Sequence, residues 1–418
     1  MNYQFYKHAI TYVLHHTDAT ERRLLRRVKL PGGVPYRFIG EPAAGPQCLT
    51  INIQIRDEDL TTVEGLGDRF AMAAGSEFSR VYRDRSLVRI EFTLPKSQWA
   101  DVHLARLPHR LGSATFGQTA LGPPARMGWD VPHKAVFGTS QSGKTTCLAD
   151  LVISLARSHS PDDCRVLLAN PKNDKIFHPF QRLTHLAAPV ANDYADSVAL
   201  LRYALAEMEL RRQDNSRCGQ RWVVVVDEIA QLTEVNPETG PLITQLSQLA
   251  GGLNINLVVA SQAANPKVFG RSGSLAKANF ASRLVFQLPR EQSWLATNIE
   301  GQLTDKLGGA GDGLAIINGR VSRFRSARPL DADYDALDYL DQEPDPIPVE
   351  ALAGDRAIDK WQIDPDPLAY ALVYKASATA IRKQFGGGTS KAMETRDFAA
   401  LLRGRVRHWR KIKAQEAS

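Results

Sequence analysis

Apolar and polar residues follow two different periods along the chain. In the first hundred residues they alternate. Leu49, Ile51, Ile53 and Ile55 interleave with Thr50, Asn52 and Gln54, and Val88, Ile90, Phe92 and Leu94 interleave with Arg89, Glu91 and Thr93. A period of two with one apolar face predicts half-buried strands. Between them Leu60, Val63, Leu66 and Phe70 recur at helical spacing, predicting a helix over 59–75. An earlier helix is signalled by the capping-box character of Asp18 to Glu21 ahead of Leu24, Leu25 and Val28, and Pro31-Gly32-Gly33 stops it. The expected unit is small, α+β and without evident chemistry.

From Lys134 onward the strands become continuously apolar and alternate with helices. Ala135–Phe137, Val166–Ala169, Trp222–Val226, Leu257–Ala260 and the run from Arg283 to Gln287 are such strands, and 195–212 reads as a helix. This pattern predicts a parallel sheet covered on both faces. Gly313 to Ile317 and Val321 to Arg325 flank Asn318-Gly319, a hairpin signature. Pro108, Gly112, Gly117 and Gly122-Pro123-Pro124 read as a connector ahead of the sheet. Residues 331–367 hold twelve acidic residues, two basic ones and five prolines, the composition of a solvated linker. Three short helix signals follow at 368–375, 378–385 and 391–402, with Gly386-Gly387-Gly388 between the last two. The expected division is 1–128, 129–330, 331–367 and 368–418.

The strand ending at Phe137 runs into Gly138-Thr139-Ser140-Gln141-Ser142-Gly143-Lys144-Thr145, and Thr146 continues into a helix-forming segment. This is G-x-x-x-x-G-K-[ST] between a strand and a helix. There glycines let successive N–H groups curl around a phosphate and the helix N-terminus adds its dipole. Lys144 is placed to reach the β- and γ-phosphates of ATP, and the Thr145 hydroxyl to bind Mg²⁺. Asp227 and Glu228 follow four consecutive valines and so stand at the carboxyl edge of a buried strand. Asp227 is the candidate for the Mg²⁺ shell and Glu228 for polarising the attacking water. Gln262 ends the next strand, where its amide could touch both water and γ-phosphate. A cation opposite the γ-phosphate is still needed; Arg283 is the candidate for an arginine supplied to a neighbouring subunit, with Arg320 and Arg323 behind it.

Charge changes the picture in one place. The net charge is +7, yet 371–418 alone hold eleven Lys and Arg against three acids, a net of +8. The remaining 41 basic and 42 acidic residues leave the first 370 positions at −1. A basic segment of this kind is the electrostatic footprint of nucleic-acid contact. Four scattered cysteines without CxxC spacing give no disulfide framework or zinc site, in keeping with a reducing cytoplasm. No apolar run reaches membrane-spanning length.

Several segments together resemble the FtsK/SpoIIIE DNA translocases, within the FtsK–HerA P-loop ATPases. They are LAKANFASRLVFQL (275–288), GGAGDGL (308–314), VLLANPK (166–172), the helix ending EMELRR (207–212) and VVVVDEIAQL (223–232). The likeness is strong over 130–328 and weak over 48–128. ASATAIRKQFGGGTSKA (376–392) resembles that family's C-terminal winged helix. Asn170 departs from the family's usual Asp.

The resemblance implies an α/β fold. It comprises a RecA-like P-loop motor with a parallel sheet, a small α+β domain before it and a winged-helix-like domain after it. It further implies an ATPase driving double-stranded DNA through a homo-hexameric ring. Thr389, Ser390 and Lys391 would lie on the DNA-reading helix, and Arg403, Arg405 and Arg407 on phosphates. Lys267, Arg271 and Lys277 are weaker candidates for tracking phosphates in the pore. A short cytoplasmic member, serving a plasmid, phage or conjugative element or acting with a membrane or secretion partner, fits the chain. A protein-secretion ATPase and an ATP-dependent DNA-binding switch are the alternatives.

If four to six tail cations meet phosphates, log K for duplex binding should fall against log[salt] with a slope of about −4 to −5. Deleting 371–418 should flatten that slope; an unchanged slope places the DNA contact elsewhere.

Overall fold

The computed structural model describes residues 36–344, apart from 56–62, 64, 85, 271–272 and 300–303, together with Tyr6, Lys7 and Ile347. The predicted first helix, the basic tail and Arg271 lie outside the described residues, as do Thr389, Ser390, Lys391, Arg403, Arg405 and Arg407.

The alternating segments form an antiparallel sheet. Its strands are β1 (Tyr36–Phe38), β2 (Ala43–Ala44), β3 (Cys48–Ile55), β4 (Ser79–Asp84) and β5 (Leu87–Thr93). β3 lies between β1 and β5, β4 follows β5, and β2 also pairs with β3. The register sets Ile51 opposite Ile90 and Ile53 opposite Val88, so both apolar faces bury together. Phe70, on helix α1 (Gly67–Ala73), packs onto that face with Leu49 and Phe92. Among the described residues, the helix expected over 59–75 is α1, and β4 is an addition to the two predicted strands.

The second sheet has nine strands. In chain order they are β6 (Ser113–Thr119), β7 (Pro124–Gly128), β8 (Lys134–Phe137), β9 (Cys164–Ala169), β10 (Arg221–Val226), β11 (Ile255–Ser261), β12 (Ser282–Val285), β13 (Asp312–Ile317) and β14 (Arg320–Ser326). Their spatial order is β7-β6-β14-β13-β12-β8-β11-β10-β9. The five strands from β12 to β9 are parallel, as their apolar runs predict, and the other four are antiparallel. The sheet is therefore mixed. Asn318 and Gly319 both take positive φ, 51° and 73°, as a tight hairpin turn requires.

The connector expected across Pro108–Pro124 is instead largely the β6–β7 hairpin at the end of this sheet. Its glycines and prolines disguised a strand pair whose Ala114, Phe116, Ala125 and Met127 are buried. Gly117 is needed for close approach: a Cβ there would sit 2.1 Å from the Arg325 carbonyl oxygen of β14. Helix α2 (Lys144–Ser158) covers the hairpin, and its Ser154 Oγ accepts the buried Thr115 N–H at 2.8 Å.

The two sheets meet through a buried ion pair. Arg323 on β14 donates to Asp312 on β13 through Nε (2.9 Å) and Nη2 (2.6 Å), and through Nη1 to Thr93 Oγ1 of the first sheet (2.8 Å). Gln47 Nε2 reaches Asp312 Oδ1 at 3.3 Å, and the side chains of Arg323 and Asp312 are both 0% exposed. Arg323 is thus structural, not a reserve cation for a neighbouring site. Removing one partner strands a buried charge, so Asp312→Asn should cost about 3–5 kcal/mol in urea unfolding. A loss below 1 kcal/mol, within the range of exposed pairs, would show the link to be dispensable.

Candidate functional site

Strand register builds the site. Val226 pairs with Ala169 on one side and Val259 on the other, and Ser261 pairs with Phe137. The residues that follow, Gly138, Asn170, Asp227 and Gln262, therefore emerge along one edge, the carboxyl end of the parallel strands. An open α/β sheet presents its ligand groups there. β11 lies between β8 and β10, so Gln262 stands between the phosphate-loop candidate and the acidic pair.

Residues 138–143 are held as a loop by their surroundings. The Gly138 N–H donates to Ser261 O (3.2 Å), the Thr139 N–H to Gln287 O (2.9 Å), and the Gly311 N–H to Ser142 O (2.8 Å). Gly143 takes φ +109°, and a Cβ there would lie 3.0 Å from Gly311 N; glycine alone satisfies both the torsion and the space. Cys147 is the first helical amide to bond backward, to Gly143 O at 2.9 Å. The amides of Lys144, Thr145 and Thr146 ahead of it are those a helix leaves without an internal carbonyl. Ser140 and Gln141 are exposed, and Gln141 has φ 60°. The loop thus turns N–H groups and a helix dipole toward one point, a phosphate cradle.

Two cations and two carboxylates surround that point. Lys144 Nζ donates to Thr139 O at 2.8 Å, folded across its own loop. Burial pulls its pKa below the usual lysine value, while the Glu228 and Asp227 carboxylates pull it back up. The Thr145 hydroxyl donates to Asp227 Oδ2 at 3.2 Å, but Asp227 Oδ1 is buried and has no hydrogen-bond partner. Burial, followed by the neighbouring Glu228 charge, pushes the Asp227 carboxyl up to about 6. An orphaned carboxylate oxygen beside a threonine hydroxyl is a hard-oxygen donor set. It suits Mg²⁺ shared with a nucleotide's phosphates. Thr145 and Asp227 would hold that ion.

Glu228 is the N-cap of a short helix, α3 (Ile229–Val235), and has a left-handed backbone, φ 55° and ψ 54°. Its Oε2 accepts Gln262 Nε2 at 2.8 Å and Lys172 Nζ at 3.2 Å, and its Oε1 accepts the Gln262 N–H at 3.4 Å. The sequence brings Glu228 and Gln262 forward as candidates; Lys172 has no role in that reading. Its signal was its position, three residues past the end of β9 and next to the acidic strand. Asn170 is fully buried. Its amide donates to Asp174 O and Asn192 Oδ1, and its Oδ1 accepts the Asp174 N–H at 2.8 Å. A carboxylate could not make the two donations, so the Asn here closes the 170–174 turn.

Arg283 is brought to a different place. It is 5% exposed, donates through Nε to Phe280 O (2.9 Å) and through Nη1 to Ala296 O (3.4 Å), and burial lowers its pKa. A guanidinium tied to two carbonyls of its own chain is not presented to a neighbour. The arginine expected at this position to complete another subunit's site is thus bonded within its own chain. Lys277 is likewise buried, its pKa lowered to about 8 by burial and then by Arg283, while Lys267 is exposed.

A phosphate-binding loop between a parallel strand and a helix, with a Thr–Asp pair and a Glu–Gln pair along the same strand ends, defines a P-loop ATPase. Residues 112–267 match the model of the FtsK/SpoIIIE family. It is 25% identical over 382 residues to a DNA translocase FtsK of Bradyrhizobium diazoefficiens, covering 78% of this chain and 45% of that protein. A DNA translocase FtsK of Agrobacterium fabrum is 24% identical over 433 residues, covering 87% and 47% respectively. The chain thus spans about half the length of these curated relatives. Among solved structures, the pCW3 conjugation coupling protein TcpA is similar at 14% identity, 76% of this chain, 94% of that chain and TM-score 0.48. The Type VII secretion ATPase EccC of Thermomonospora curvata is similar at 20% identity, 58% and 32% coverage and TM-score 0.48. No described helix is long and apolar enough to cross a membrane.

Asp227 titrates in the free protein in a direction that can be checked. Its folded-state pKa, about 6, lies above the ordinary 3.8, so the folded chain holds this proton more tightly than the unfolded one. Its contribution is present at low pH and lost as pH rises through about 6. Asp227→Asn should therefore raise the metal-free melting temperature, with a margin over the native protein that widens from about pH 4 to about pH 6 and then levels off. The same variant should lose the further stabilisation by Mg²⁺ and ATP, about 2.7 kcal/mol at a hundredfold excess over Kd in the native protein.

Proposed function

We propose that the chain is an ATP-driven motor on double-stranded DNA, working as a homo-hexameric ring. One observation supports it above the rest: hydrolytic groups stand together on the ends of β8, β10 and β11 inside the stretch that matches the FtsK/SpoIIIE family model. The curated relatives named DNA translocase FtsK and the basic 371–418 segment favour duplex DNA as what is moved.

In this reading ATP lies with its phosphates on 138–146. Lys144 leaves Thr139 O for the β- and γ-phosphates, and the amides of the loop and first helical turn bind the remaining oxygens. Mg²⁺, when bound, would supply neutralisation of phosphate charge. Thr145 and Asp227 would hold it, Asp227 as the carboxylate. Glu228 orients the attacking water and takes its proton. Gln262, bonded to Glu228, lies where its amide can meet the γ-phosphate, so loss of that phosphate is felt on β11. A cation from a neighbouring subunit would complete the site; Arg283 would have to leave the Phe280 and Ala296 carbonyls to serve as that cation. The tail, with Thr389, Ser390, Lys391, Arg403, Arg405 and Arg407, would contact DNA, and the protein would work in the cytoplasm.

Linear duplex DNA should stimulate ATP turnover and the protein should displace a triplex-forming strand; the absence of both would sink the motor reading and favour a secretion ATPase. Stimulation without displacement would mark an ATP-dependent switch. Lys144→Ala should abolish turnover and displacement. Glu228→Gln should keep nucleotide binding and lower kcat by about 10²–10⁴, the usual contribution of a positioned general base.

A further inference from the structure

Glu228 is held in a way that a working base would not be. A base acting on water needs a carboxylate oxygen free to approach it to about 2.6–3.2 Å. Here Oε2 carries two donors, the Gln262 amide at 2.8 Å and the Lys172 ammonium at 3.2 Å, and Oε1 takes the Gln262 N–H at 3.4 Å. Three donors fix the rotation of the carboxylate. The backbone beneath is in the left-handed region, φ 55°, a conformation that a non-glycine residue holds only when its surroundings impose it.

The members of this clamp differ in access. The Glu228 side chain is 5% exposed, whereas that of Lys172 is 35% exposed. Lys172 lies in the loop that follows β9, the last strand at that border of the sheet, with its side chain open to solvent. It also neighbours the nucleotide cradle closely enough to depress the pKa of Lys144.

We infer that Lys172 is a positioning residue that restrains Glu228 in a resting geometry, and that a phosphodiester group competing for Lys172 from the exposed side releases it for hydrolysis. The choice of phosphodiester as the releasing anion rests on the DNA-motor reading; the restraint itself does not. No covalent step is involved. The ammonium exchanges one anionic partner for another, and Glu228 keeps only its bonds to Gln262.

The test is steady-state ATP turnover of the full chain, with and without linear duplex DNA, for the native protein, Lys172→Met and Lys172→Arg. Nucleotide Kd is measured alongside. Removing the ammonium should raise DNA-free kcat about tenfold, the factor corresponding to one charge-assisted hydrogen bond, with Kd for ATP unchanged. Added duplex should then stimulate Lys172→Met less than the native protein by the same factor. Lys172→Arg should restore the restraint and bring DNA-free turnover back down. A purely structural lysine would give the opposite sign: DNA-free kcat unchanged or lowered in Lys172→Met overturns the clamp. A raised DNA-free rate that duplex still multiplies in full overturns release by phosphodiester. A native protein that duplex leaves unstimulated overturns the DNA-motor reading, while the ratio of the two DNA-free rates still decides the clamp.

Discussion

The constraint on which the site depends is the register of the parallel strands. The register that sets Val226 against Ala169 and Val259, and Ser261 against Phe137, puts a glycine, an amide and two carboxylates along one edge. A slip of one residue in any strand would turn its terminal side chain to the other face of the sheet. The register is kept by apolar runs buried on both sides: Val223 to Val226, Leu257 to Ala260 and Ala135 to Phe137 are at most 2% exposed. Chemistry at the edge is thus secured by packing in the middle.

Polar groups at that edge are deliberately unfinished. Asp227 keeps one buried oxygen without a partner, and Lys144 spends its ammonium on a carbonyl of its own loop. Both arrangements cost stability in the free protein and are resolved when a metal-bound triphosphate arrives. Other buried polar side chains are closed instead: Arg323, Asp312, Asn170 and Arg283 are each bonded to more than one group.

What could be read from sequence follows from which properties are local. The phosphate loop was legible because its glycines, lysine and threonine act at fixed spacing between a strand and a helix. Asp227, Glu228 and Gln262 were legible as strand-end positions because continuous apolar runs show where buried strands stop. Arg283 was not, since its direction depends on how Ser282–Val285 lies between β8 and β13, and that is a tertiary fact. The β6–β7 hairpin was hidden for the converse reason: its glycines and prolines carry a loop signature, yet Gly117 is there to let two backbones touch. Lys172 stood in the VLLANPK segment but received no role, because its partner lies 56 residues away in the chain.

Gly311 and Asp312 are adjacent in the chain but answer to different masters. The amide of Gly311 is bonded to Ser142 in the phosphate loop, while the carboxylate of Asp312 is locked to Arg323 and, with it, to Gln47 and Thr93 of the first sheet. One peptide unit therefore joins the nucleotide cradle to the antiparallel sheet. In mechanical terms it is a short, stiff linkage: the ion pair at one end resists extension, and the hydrogen bond at the other is the compliant element. Displacement of the loop loads the hydrogen bond first. What remains is transmitted to a sheet that makes no contact with phosphate.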